Sequence, residues 1–185
     1  GGTIGGSVGG VEKQLEQCGI GKSTEERKKI AREWFDIGKD AFVKAMASAP
    51  AILFVAAAGN ENADSSFAES IPADIELPNL ITVGAVDKAG DEAPFTSYGK
   101  TVVVHANGYL VDSVIPGGER LAESGTSMSA PQVTNLAAKI LAVNPTLSPP
   151  QVIAIIRGTA EKTADGRRVL IHPRKAVAAA QAKPG

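Results

Sequence analysis

The segment Gly125-Thr126-Ser127-Met128-Ser129-Ala130-Pro131 is the part of the chain best equipped for chemistry. A glycine, hydroxyl residues and a proline suited to a first helical turn mark a loop-to-helix junction. A serine there exposes its hydroxyl at the end of the element. Its own backbone N–H is among the donors a helix leaves unsatisfied, aimed where negative charge develops in acyl transfer. Ser127 is therefore a candidate nucleophile, and Gly125 permits close approach of a substrate backbone. The plainer alternative is that Thr126 or Ser127 caps the helix, because capping serines far outnumber nucleophiles.

Asn60 is a second candidate. It lies in Ala58-Gly59-Asn60-Glu61-Asn62, directly behind an apolar run at 51–58. In open α/β sheets ligands bind beyond the carboxyl ends of strands, and an Asn amide there can donate to an oxyanion. The alternative is a turn, since Gly-Asn is common turn chemistry.

These two sites need a scaffold. The run 51–58 has no alternation, as expected of a parallel strand covered on both faces. Residues 80–86 and 101–104 read as further strands, and 59–79 as a polar loop. Ser23-Thr24-Glu25-Glu26 writes a helix start. Ile30, Trp34, Ile37, Ala41 and Ala45 then recur at helical spacing as the expected core stripe, widened by Phe35, Phe42 and Met46, with Pro50 as the stop. A second helix spans about 125–143, ended by Asn144-Pro145. A third starts at Ser148-Pro149-Pro150-Gln151 and runs to about Gly158, and a last one covers about 174–181. Strands alternating with helices predict an α/β fold with a mostly parallel sheet.

Composition narrows the function classes. The 185 residues are 43% hydrophobic and 21% charged, with 20 Gly and 11 Pro, which excludes wholesale disorder. Net charge is −1, so there is no global footprint for nucleic acid or an anionic membrane, and neither is expected as a partner. No apolar run reaches the length of a transmembrane helix. Cys18 is the one cysteine, so no internal disulfide or cysteine metal cage forms. Gly19-Ile20-Gly21-Lys22-Ser23-Thr24 lacks the upstream glycine of a phosphate-binding loop, having Glu16 in its place. His105 and His172 have no metal-ligand spacing.

Gly125-Thr126-Ser127-Met128-Ser129-Ala130-Pro131 resembles the nucleophile signature of the subtilisin-like serine peptidases, the subtilases. Ala56-Ala57-Ala58-Gly59-Asn60-Glu61 is similar to their oxyanion-asparagine segment. Ser7-Val8-Gly9-Gly10 is similar to their Ser-Leu-Gly-Gly stretch. Residues 71–73, 79–86 and 95–99 follow the family in order, so the resemblance extends from about Thr3 to Ala180. It implies a three-layer subtilisin-like fold with a mostly parallel central sheet. It also implies that residues 1–185 are the C-terminal part of one peptidase domain whose N-terminal part is absent. By the resemblance, Ser127 attacks a peptide carbonyl, and Asn60 with the Ser127 N–H forms the oxyanion hole. Ser7, Val8, Gly9, Gly10, Ala58, Gly59, Gly125 and Thr126 would then hold an extended polypeptide by strand addition. Many subtilases bind calcium, though no Asp-rich loop stands out here. Most are exported, which is the expectation for localisation.

The chain departs from the family in one respect. A serine nucleophile needs a base and an acid that orients it. The family's His-Gly-Thr-His and Asp-Ser-Gly or Asp-Thr-Gly sequences do not occur. The triad Asp and His are therefore expected on an upstream segment or a partner chain, and residues 1–185 alone are expected to be inactive. The absent part should leave an open sheet edge. Two other readings stand beside this one: a non-catalytic peptide-binding module that retains the groove, and an esterase-like hydrolase using His105. The segment at 11–48 reads as a surface helix preceded by a longer loop.

Overall fold

The computed structural model describes residues 6–64 and 69–182; the glycine-rich opening as far as Gly5 lies outside them. In chain order the elements are β1 (Gly6–Ser7), α1 (Val8–Gln17), α2 (Thr24–Ala47), β2 (Phe54–Ala57), β3 (Ser70–Ile71), β4 (Leu80–Val86), β5 (Val102–Asn107), β6 (Val111–Val114), β7 (Arg120–Glu123), α3 (Thr126–Val143), α4 (Pro149–Thr159), β8 (Glu161–Lys162), β9 (Val169–Leu170) and α5 (Pro173–Gln181).

Strand β4 is the axis. All of its residues are buried, as its sequence, apolar apart from Thr82, requires of a strand covered on both faces. The main sheet has the order β2-β4-β5-β9-β8. Only the pairing of β8 with β9 in it is antiparallel. Among the described residues, β2 pairs with β4 alone, and its outer edge carries no strand.

Side-chain alternation along β4 separates two cores. Ile81 and Val83 face α3, α4 and α5, packing with Val133, Leu136, Ile140, Val152 and Ile156. Leu80 faces α2, packing with Phe35, Met46, Ala56, Ile71 and Ile75. Helices therefore cover both sheet faces, giving the three layers that the resemblance implied. Among the described residues, no helix is long and apolar enough to cross a membrane.

Local chemistry sets the helix ends. Ser23 Oγ accepts the Glu26 N–H at 3.1 Å, while Glu26 Oε2 reaches one residue further back, to the Lys22 N–H at 2.7 Å. At α4, Gln151 Oε1 accepts both the Ser148 N–H (2.8 Å) and the Ser148 hydroxyl (2.9 Å). Buried Asn79 closes α2 from the far side. Its Nδ2 donates to the carbonyls of Met46, Ala49 and Ile52 at 3.0–3.2 Å, tying the helix end to the link that leads into β2.

The stripe expected on α2 is not the one buried. Ala31, Phe35 and Met46 face the sheet, whereas Trp34 is 52% and Ile37 68% exposed. The helix carries two adjacent apolar stripes, and the sheet has room for one. Phe35 and Met46, with Phe42 beside them, fill the space above β2 and β4. The loop expected before α2 is instead mostly the helix α1. Strand β3 lies in the stretch 59–79 expected to be loop, and the hairpin β6–β7 and the short strands β1, β8 and β9 had no reading in the sequence.

Candidate functional site

Ser127 sits in the first turn of α3. The N-cap is Gly125, with no side-chain cap. Neither Thr126 nor Ser127 caps the helix, so the plain capping alternative does not hold. The Thr126 hydroxyl instead donates to Asn60 Oδ1 at 2.9 Å and accepts the Gly59 N–H at 3.1 Å. Asn60 Oδ1 also accepts the Thr126 N–H at 2.8 Å. Asn60 is thus more than a turn residue, because its side chain reaches across to α3.

This pairing fixes the orientation of the Asn60 amide. Both Thr126 donors require an oxygen, so Oδ1 points to Thr126 and Nδ2 remains the donor end. A Cβ built on Gly125 would lie 3.3 Å from Asn60 Nδ2, which places that nitrogen directly beside the start of α3. The neighbouring donors are taken. The Gly125 N–H goes to Gly108 O (2.8 Å), the Thr126 N–H to Asn60, and the Met128 N–H to Gly125 O (3.0 Å). Between them, the Ser127 N–H meets no acceptor among the described residues.

Two glycines make this junction possible. Gly59 has φ +107°, a backbone conformation that side chains disfavour, so the chain can turn sharply off the end of β2. A Cβ on Gly108 would meet Ser129 Oγ at 2.3 Å, Ala85 Cβ at 2.7 Å and Gly125 O at 2.7 Å. The loop after β5 therefore touches the N-terminus of α3 directly. Buried Ser129 adds a bond from Oγ to Ala106 O at 3.0 Å. Gln132 Nε2 bonds both Asn107 O and Met128 O.

A cavity of about 720 Å³ opens in front of these groups. Its floor is 55–58, and Gly59, Asn60, Thr126 and Ser127 form one wall. Of the residues expected to hold substrate, Ser7, Ala58, Gly59 and Thr126 line it, and Gly125 lies just behind Asn60. Val8, Gly9 and Gly10 do not. They form the first turn of α1, with Ser7 Oγ accepting the Gly10 N–H at 3.1 Å. Of the four residues expected to hold substrate at 7–10, only Ser7 is in a strand, β1, which pairs antiparallel with β3. Ser7 both ends this short strand and caps the helix that follows. Ser97, inside the family-like stretch 95–99 but with no role expected of it, also lines the cavity and donates to Glu61 Oε2 at 3.4 Å.

Neither histidine lines the cavity. His105 is buried in β5, and its Nδ1 accepts the Val169 N–H at 3.2 Å. Burial holds its pKa below the ordinary value, with Glu92 opposing and Arg168 reinforcing the shift. His172 is the N-cap of α5, its Nδ1 accepting the Lys175 N–H at 3.2 Å. Both imidazoles serve structure, and the esterase-like reading through His105 loses its base. For the calcium implied by the resemblance, the described residues bring together no group of three or more His, Cys, Asp or Glu side chains that could hold a metal.

Residues 7–174 match the model of the Subtilase family, so the chain belongs to that family. It is 39% identical over 109 residues to a subtilisin of Bacillus pumilus, covering 59% of this chain and 39% of that protein. It is 35% identical over 163 residues to subtilisin-like protease 3 of Pseudogymnoascus destructans, covering 83% of this chain and 38% of that protein. The chain therefore spans less than half the length of these relatives. Among solved structures, a protease of Pseudoalteromonas arctica superposes with a TM-score of 0.65 over 97% of this chain and 50% of its own, at 24% identity. The prenylagaramide maturation protease PagA superposes at 0.60 over 90% and 64%, at 20% identity, a likeness of fold.

Proposed function

We propose that this chain is the nucleophile-bearing part of a serine endopeptidase. The observation that carries this reading is the Asn60–Thr126 pairing. It holds an amide donor and the open Ser127 N–H at the rim of one cavity.

A polypeptide lies in the cavity with its scissile carbonyl carbon at Ser127 Oγ. As the O–C bond forms, the hydroxyl proton passes to a histidine. The carbonyl oxygen takes up the negative charge and accepts from Asn60 Nδ2 and the Ser127 N–H. One such donor contributes about 3 kcal/mol to the transition state. The same histidine returns the proton to the leaving nitrogen as the C–N bond breaks, giving an acyl-enzyme that water then hydrolyses. That histidine and the aspartate that orients it come from an upstream segment or a partner chain.

The test is hydrolysis of a fluorogenic peptide by the protein together with its His- and Asp-bearing segment. Turnover that disappears in Ser127→Ala supports the reading. Turnover that persists in Ser127→Ala removes it.

A further inference from the structure

A second cavity, of about 810 Å³, meets Ser127 from the side of Met128. The two cavities share Ser127 and Pro131, so a chain presenting its carbonyl at Ser127 from the first cavity leaves into the second. The second lies between the hairpin β6–β7 and the outer face of α3. Val111, Leu136 and Ile171 give it an apolar wall.

Its charge is one-sided. Lys88, Lys139 and Arg120 line it against a single carboxylate, Asp112. That carboxylate is already engaged, because Asp112 Oδ2 accepts from Arg120 Nε at 2.9 Å and Nη2 at 2.6 Å. Lys88 and Lys139 form no ion pair among the described residues. The acid next in sequence, Asp87, is turned to its own loop, where Oδ1 accepts the N–H groups of Ala89 and Asp91. Two unpaired ammonium groups therefore face a concave, partly apolar surface that begins at the nucleophile. A carboxylate on a short alkyl stem matches that combination.

We propose that this second cavity is a subsite for acidic residues on the leaving-group side of the substrate, with Lys88 and Lys139 as its specificity-determining residues. The inference rests on the peptidase reading, because that reading places the peptide across Ser127.

The test is equilibrium binding to the intact protein carrying Ser127→Ala, so that nothing is turned over. The probes are short fluorescein-labelled peptides with Glu or Gln at each position beyond the bond presented to Ser127. The Glu peptide is expected to bind about tenfold more tightly at low salt. The difference should shrink toward unity in about 0.5 M salt, where exposed charges are screened. In the Lys88→Gln/Lys139→Gln double variant the two peptides should bind alike. Salt dependence in the parent reads the effect even if the double variant does not fold. Equal affinity for the two peptides in the parent, no binding of either, or a Glu preference that survives in the folded double variant overturns the proposal. A Glu preference in a protein that shows no turnover with Ser127 intact would count against the peptidase reading alone. Turnover without a Glu preference would count against the subsite alone.

Discussion

Asn60 and Thr126, 66 residues apart in sequence, meet through two hydrogen bonds to a single oxygen, Asn60 Oδ1, at 2.8 and 2.9 Å. The Thr126 hydroxyl also accepts the Gly59 N–H. One buried hydroxyl therefore joins the end of β2 to the start of α3 and sets which end of the Asn60 amide faces the cavity.

Thr126→Val keeps the shape and removes that hydroxyl. Asn60 loses one of its two anchors and the Gly59 N–H loses its acceptor, at a cost of about 1–3 kcal/mol for an unsatisfied buried donor. In the assembled peptidase, kcat is expected to fall about tenfold or more with a smaller change in KM, and Thr126→Ser should retain most activity. Steady-state kinetics on the two variants check this. A loss confined to Thr126→Ser would show that the methyl group, not the hydroxyl, matters.

Asn60→Leu removes the side-chain oxyanion donor. By the scale of such donors, kcat is expected to drop about 10²- to 10³-fold while KM changes little. A loss confined to KM would mean that Asn60 binds substrate rather than the developing charge.

Asn79→Ala should destabilise without touching the site. Three carbonyls at the end of α2 lose a shared donor, worth about 2 kcal/mol, or roughly 4–8 °C in Tm for a chain of this size. Thermal melting reads it. An unchanged Tm would show that water replaces the amide at no cost.

His105 gives the fold a pH dependence. Burial lowers its pKa in the folded chain below the ordinary 6.5, so the unfolded chain binds the proton more readily. Its contribution to stability is complete above that ordinary value. It is lost as pH falls through the window beneath. Glu92 works against the shift and Arg168 with it. His105→Gln should flatten the change in Tm between about pH 7.5 and pH 5 relative to the parent. Identical slopes in both proteins would remove His105 from the account.

The sequence was most legible where structure is local. Ser23 and the Ser148/Gln151 pair mark helix starts through bonds between near neighbours, and 80–86 reads as a strand because it is apolar apart from Thr82. Ser127 and Asn60 could each be singled out from local context. Their joint placement, through Thr126, depends on a contact that no short-range pattern encodes. The α2 stripe was misread for a related reason. Helical spacing shows that Ile30, Trp34 and Ile37 share a face, but only the packing against β2 and β4 decides that the face of Phe35 and Met46 is buried. The second cavity had no sequence signature, because Lys88 and Lys139 line it from segments far apart in the chain.

On the proposed reading, Ser127 is a nucleophile whose base lies outside residues 1–185. Fluorophosphonate labelling with peptide mapping tests it most directly, on the folded chain alone and then with the His- and Asp-bearing segment added. The account predicts no modification of the chain alone and modification at Ser127 once the segment is present. Labelling of Ser127 in the chain alone, abolished by His105→Gln or His172→Gln, would contradict it, as would modification at a different residue in the assembled protein.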